Sequence, residues 1–240
     1  YMRQLQAALK MELPLDQLYL PIAFTRGFIL DTYKNEKDKY NMTLKELLEA
    51  IEYRKNISKS FAALDTEEVK AAFEQHMHSY IPENGSDFEG HPLWILDLPS
   101  QNFTDIIPKE QIMANHARDF LKLEKLKLKA SVERNQFICG HVIVADMSHA
   151  KGGLGGAMGV VKKLNATLEI VVNEGEKPKN VDTFYFPESM HSTLVLNAPW
   201  WFKALWKMAS LFMEATTRKK FKVLGGSYAQ ELFERGVLGY

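Results

Sequence analysis

Three groups of residues in this sequence are of types that could do chemistry. Gly152-Gly-Leu-Gly-Gly156 follows an apolar run, as a nucleotide-binding loop would. Read from Gly153, a dinucleotide fingerprint needs glycine or alanine where Met158 stands, and no ribose-binding acid follows in a βαβ context. No Gly-Lys-Ser/Thr follows either, so a phosphate loop is absent and the glycines read as a flexible loop. His76 and His78 are two apart, while His91, His141, His149 and His191 are scattered, with no spacing that resembles a zinc site. No Gly-x-Ser-x-Gly elbow occurs, and Cys139 sits inside an apolar run as a small core residue rather than a nucleophile. The expectation is a protein without catalytic residues, cofactor or metal.

The more informative chemistry is non-covalent. In Pro199-Trp-Trp-Phe-Lys-Ala-Leu-Trp-Lys-Met-Ala-Ser-Leu-Phe-Met-Glu-Ala215, the proline suits the first turn of a helix. On helical spacing Lys203, Lys207, Ser210 and Glu214 form one narrow stripe. Trp201, Phe202, Leu205, Trp206, Met208, Phe212 and Met213 occupy most of the remaining circumference. A surface helix needs an apolar face on only part of its girth. This one is either buried on both sides or packs on the protein through one face and meets lipid through the other. Tryptophan with lysine suits a membrane interface.

The elements that position these residues follow from periodicity. Residues 1–80 read as helical: Leu44, Leu47, Leu48 and Ile51 recur at helical spacing in Met42–Ile57, and Asp65-Thr-Glu-Glu68 has the acidic first turn of a helix start. Pro82–Gly90 is a loop by its turn residues. From there the pattern alternates. Pro92–Leu98, Phe137–Met147, Thr193–Asn197 and Phe221–Leu224 read as strands. Pro108 opens a long polar helix to about Asn135, although the Leu-Lys alternation over Leu121–Lys129 also fits a strand. Strands alternating with helices imply an α/β fold with a largely parallel sheet. The expected organisation is a helical N-terminal region, 1–80, and an α/β domain, 81–240.

Composition narrows the class. The chain has 240 residues, 46% hydrophobic and 25% charged, enough to bury a large core around a cavity. Lys+Arg and Asp+Glu are equal at 30 each, so no net charge draws the chain to nucleic acid. A single cysteine points to a reducing compartment. The sequence contains no apolar run of the length that spans a bilayer.

Four linked elements resemble the CRAL-TRIO family of lipid-binding proteins: Phe186-Pro-Glu-Ser-Met190, Leu194-Val-Leu-Asn-Ala-Pro-Trp200, Thr216-Thr-Arg-Lys-Lys-Phe221 and Leu224-Gly-Gly-Ser-Tyr228. Glu89-Gly-His-Pro-Leu-Trp94 is similar to the family's acidic-Gly-Arg-Pro turn, and Val142–Met147 to its strand ending in aspartate. The resemblance implies a CRAL-TRIO-like mixed, mostly parallel sheet with flanking helices over an apolar pocket, closed by a gate helix at about 199–215. It implies binding and intermembrane transfer of a single lipid by a cytoplasmic, peripherally membrane-associated protein. The partners are then a phospholipid or other hydrophobic ligand and, transiently, a membrane surface. In phosphatidylinositol-binding members a glutamate, a threonine and a lysine serve the inositol phosphate; residue by residue these fall on Glu188, Thr217 and Lys220, with Arg26 matching an N-terminal basic position. Trp201, Phe202, Leu205, Trp206 and Phe212 become gate or membrane-contact residues. Two departures stand out. Ser189 replaces an arginine that often follows the glutamate, and Lys151 and Gly153 replace hydroxyl residues that serve phosphatidylcholine. Alternatives left open are a lipid-sensing module of a larger protein and a carrier of tocopherol or a retinoid.

Overall fold

The computed structural model describes residues 36–148, 153–171, 178–186, 189–210, 218–225 and 228–237. Among these, α1 (Glu36–Ile57) runs into a 3-10 segment (Ser58–Leu64) and then α2 (Glu67–His76). The Thr66 hydroxyl caps α2 by accepting from the Val69 amide, with Glu67 and Glu68 against the helix dipole, as the acidic start in the sequence predicts. β1 (Ser79–Tyr80) lies inside the span expected to be helical; it is a two-residue edge strand, too short to leave an alternation signal.

The sheet follows. β2 (Leu93–Asp97) leads through α3 (Phe103–Ile106) and α4 (Lys109–Arg134) to β3 (His141–Asp146). The Leu-Lys alternation over Leu121–Lys129 is therefore helical: the buried stripe is Phe120, Leu123, Glu124 and Lys127, and two of those four are charged. Buried charge at helical spacing disguised the period. Asn135 ends α4 in the left-handed conformation (φ 50°), and its amide caps the last carbonyls. β3 starts four residues later than its apolar run suggested.

α5 (Gly153–Thr167) begins at the glycines read as a flexible loop, so that expectation is corrected from Gly153 onward: the glycines form the first turn, with Gly153 at φ +61°. A short hairpin, β4 (Glu169–Ile170) with β5 (Lys179–Asn180), leads to α6 (Val181–Tyr185), β6 (Met190–Leu196), α7 (Trp200–Ala209), β7 (Phe221–Val223) and α8 (Ala229–Glu234).

The main sheet has the order β1-β2-β3-β6-β7; β1 is antiparallel to β2, and every other pairing is parallel. The mixed, mostly parallel sheet is thus present. The order advances in one direction, and right-handed crossovers then place all the connecting helices on one face. Register confirms this. Trp94 pairs Ile143, which pairs Thr193, so Trp94, Ile143 and Val195 share a face. That face meets Ala117, Phe120 and Leu123 of α4 at one end, and Ala157 of α5 and Trp201 of α7 at the other. The opposite face carries Leu93, Val142, Val144, Leu194 and Leu196, covered by Leu232 of α8 and by Val237. A strand apolar on both faces, such as Leu194-Val-Leu196, is what a covered parallel sheet requires.

Candidate functional site

The first residue of β7, Phe221, pairs with Thr193 of β6. Lys220 immediately precedes β7, and its ammonium donates to the Met190 carbonyl at 2.9 Å. The Thr193 amide donates to the Lys220 carbonyl at 2.8 Å, tying the two chains at the same level. This brings the candidate lysine to within two residues, along the chain, of Glu188.

The chain on either side of Glu188 is anchored by cations from α1 and α4. On the N-terminal side, the Arg54 guanidinium of α1 donates to both carboxylate oxygens of Glu124 (2.6 and 2.8 Å) and to the Tyr185 carbonyl (2.7 Å). It also lies 4.4 Å from the centre of the Phe186 ring. On the C-terminal side, the wholly buried Lys127 donates to the Ser189 carbonyl at 3.2 Å and approaches its hydroxyl at 3.4 Å. Burial pushes the Lys127 ammonium down to about 7, against the opposing pull of Glu124. Ser189 thus receives a cation from α4.

Next to this network, His116 of α4 bonds Asp182 of α6. Burial works to lower its pKa, but the Asp182 carboxylate outweighs burial and raises it. His141, at the start of β3, is driven well below the usual histidine range by burial, with Lys127 and His116 adding to the effect. It packs edge-on against Trp94 and Phe120, a neutral ring in an aromatic cluster.

At the other end of the sheet, Asn197 turns the chain out of β6 in the left-handed conformation (φ 50°), which asparagine tolerates. Its amide donates to Asp146 at the end of β3 (2.9 Å), and the Phe202 amide donates to the Pro199 carbonyl (2.8 Å) to start α7. Trp201 is buried on Met147, Ala157 and Val195. Phe202 is half-buried in the same cluster, and the half-buried Trp206 ring sits 4.8 Å from Phe221. Trp200 is 86% exposed.

Of the expected site residues, then, Lys220, Trp201, Phe202 and Trp206 are placed. Arg26, Glu188, Phe212 and Thr217 lie outside the described residues, as does the side chain of Leu205. Sequence reasoning passed over Arg54, Lys127 and Trp200. The available signal was Glu124 and Lys127 interrupting an apolar stripe at the spacing of Phe120 and Leu123.

No helix among the described residues is long and apolar enough to cross a membrane. Residues 179–236, from β5 to just beyond α8, match the CRAL/TRIO domain family. The chain is 25% identical over 236 residues to the phosphatidylinositol/phosphatidylcholine transfer protein SFH12 of Arabidopsis thaliana, covering 88% of this chain and 40% of that protein. It is 26% identical over 161 residues to SFH4 of the same plant, a protein of the same description, covering 65% and 24%. It is 25% identical over 153 residues to the SEC14 cytosolic factor of Eremothecium gossypii, covering 62% and 46%. The chain therefore spans less than half the length of these relatives. The crystal structure of Sfh5 superposes with a TM-score of 0.49 at 15% identity, over 89% of this chain and 67% of that one.

Proposed function

We propose that this chain, a member of the CRAL-TRIO family, binds a lipid and carries it between membranes. The observation that carries this reading is the family match over residues 179–236, which takes in β6, α7, β7 and Lys220. Relatives described as phosphatidylinositol/phosphatidylcholine transfer proteins support it. The activity is binding rather than catalysis. Exposing acyl chains to water costs about 0.8 kcal/mol per methylene, so a carrier must hold them in a dry apolar pocket. In this reading α7 is the first part of the gate helix. Its buried Trp201 seats it on the sheet, while exposed Trp200 and Lys203 face the bilayer.

The polar end of the ligand is a phosphatidylinositol-type headgroup held by Glu188, Thr217 and Lys220, with Arg26 as a further cation. A buried lipid phosphate needs a charged partner, and Lys220 already stands beside the segment that holds Glu188. Native extraction with lipid mass spectrometry, followed by vesicle-to-vesicle transfer, tests the reading. Stoichiometric phosphatidylinositol and transfer that falls in Lys220→Ala are expected. A tocopherol- or retinoid-like ligand would remove the headgroup assignment, and a chain that neither holds nor moves lipid would overturn the whole reading. Binding without transfer would favour a lipid-sensing module, an arrangement in keeping with relatives more than twice the length of the matched region.

A further inference from the structure

Where the loop before β2 meets the first residues of β6, four side chains of metal-ligating type converge: Asp87, Glu89, His91 and His191. One ligand atom from each lies within 4.8 Å of the others. His91 Nδ1 is 3.1 Å from Asp87 Oδ2 and 3.7 Å from Glu89 Oε2, and His191 Nε2 is 3.8 Å from the same glutamate oxygen. Asp87 and His91 are buried, His191 is partly buried, and Glu89 is open to solvent.

The loop is built to hold this arrangement. Asp87 Oδ1 accepts from the amides of Glu89 (3.0 Å) and His91 (2.8 Å), and the Asp87 amide donates to the His91 carbonyl (3.0 Å). Gly90 turns the chain at φ +92°, a value L side chains rarely adopt. The Phe88 amide donates to the Arg235 carbonyl, and Arg134 donates to the Phe88 carbonyl, so the loop is fastened from two further elements.

The two imidazoles stack with centroids 3.6 Å apart and planes 17° apart. The stack sets ring nitrogens of both histidines beside the two carboxylates. Burial and the neighbouring His91 both push His191 down, as does Arg235, while Asp87 and Glu89 pull the other way. Burial works to raise Asp87, but the hydrogen bonds from His91 outweigh it and hold the carboxyl ionised.

We propose that His91, His191, Asp87 and Glu89 form a binding site for a divalent transition-metal ion of the zinc class, which clips the loop before β2 to the start of β6. Two imidazoles with two carboxylates suit zinc, cobalt or nickel; the set lacks the thiolates that select copper(I) and the all-oxygen shell that suits magnesium or calcium. Parallel rings aim their lone pairs side by side rather than at one point. Ion capture therefore turns the more exposed His191 out of the stack and draws the four donors to about 2.0–2.2 Å from a common centre. His191 follows Met190, whose carbonyl accepts from Lys220. The ion would therefore fix the beginning of the strand next to the candidate headgroup residues, although the metal site stands whatever the lipid reading becomes.

The test uses the whole chain after stripping with a chelator. Zinc binding is read by equilibrium dialysis, and cobalt binding by visible absorption at neutral pH. One ion per chain is expected, with the intense cobalt spectrum of a low-coordinate nitrogen and oxygen site. Loss of an outer-sphere partner costs about 10–100-fold in metal affinity, and loss of a ligand should cost at least as much in His191→Ala. Glu89→Gln, at the most exposed position, provides a second variant whose fold is not at issue. No saturable binding by the wild type would overturn the site. So would affinity that stays the same in both variants, which would put the ion on other groups such as His76 and His78.

Discussion

Lys220 and Lys127 show how one residue type takes opposite roles at adjacent carbonyls, those of Met190 and Ser189. Lys220 is partly exposed and donates to the Met190 carbonyl. A charge-assisted hydrogen bond contributes about 1.5–3 kcal/mol, so Lys220→Ala should weaken phosphatidylinositol binding by roughly tenfold or more. The same variant should cost only about 1 kcal/mol of stability, the share of its bond to Met190. Lipid titration beside a urea melt separates the two effects; equal affinity in the variant would remove Lys220 from the headgroup site. Lys127 is buried, with its pKa lowered from 10.5 to about 7. Between those values the unfolded chain holds a proton that the native chain has released, so stability rises with pH across that window. The rise should be on the order of a few kcal/mol and should be largely lost in Lys127→Met, measured by denaturant titration from neutral pH to pH 10. Tyr185, raised from 10.0 to about 12, acts from the top of that window upward and in the opposite direction.

At the scale of elements, α7 divides its two leading tryptophans between two tasks. Trp201→Ala opens the cluster of Met147, Ala157 and Val195 and should cost about 3–5 kcal/mol. Trp200→Ala should leave stability within about 0.5 kcal/mol yet weaken binding to vesicles. Co-sedimentation with phospholipid vesicles, set against thermal melts of both variants, checks this, and an equal loss of vesicle binding in a folded Trp201→Ala would contradict it. The ties between α1, α4 and α6 rest on Arg54. Arg54→Met strands a buried carboxylate and should cost about 3–5 kcal/mol, whereas adding Glu124→Leu should recover most of that. If the double variant is no more stable than the single one, the ion pair is not the source of the loss.

For the whole molecule, the singly wound sheet separates two environments. One face is covered by α8 and Val237, while the other is covered by helices from the successive crossovers. A ligand that binds only the native state stabilises it by about 2.7 kcal/mol at a hundredfold excess over Kd, and each kcal/mol shifts Tm by roughly 2–4 °C in a chain of this size. Phosphatidylinositol should therefore raise Tm in a concentration-dependent manner. A flat Tm across a lipid titration that saturates by another readout would mean that lipid binds the unfolded chain as well.

What the sequence alone determined was whatever depends on local pattern. The Leu194-Val-Leu196 strand, the Asn197-Ala-Pro199 turn and the aromatic helix after it were legible because each is written in consecutive residues. The order of these elements carried the family resemblance. What only the tertiary structure decided involves residues far apart in the chain. Glu124 and Lys127 read only as part of a long polar helix because the cation for one, Arg54, lies 70 positions away, and the acceptor for the other, Ser189, lies 62 positions away. The stacking of His91 on His191 joins a loop to a strand a hundred residues later, and no spacing rule reaches that far. The helix beginning at Gly153 was hidden for a different reason: glycine has so little helix propensity that local sequence argues against it, and burial of Ala157 and Val160 against neighbouring elements overrides that preference.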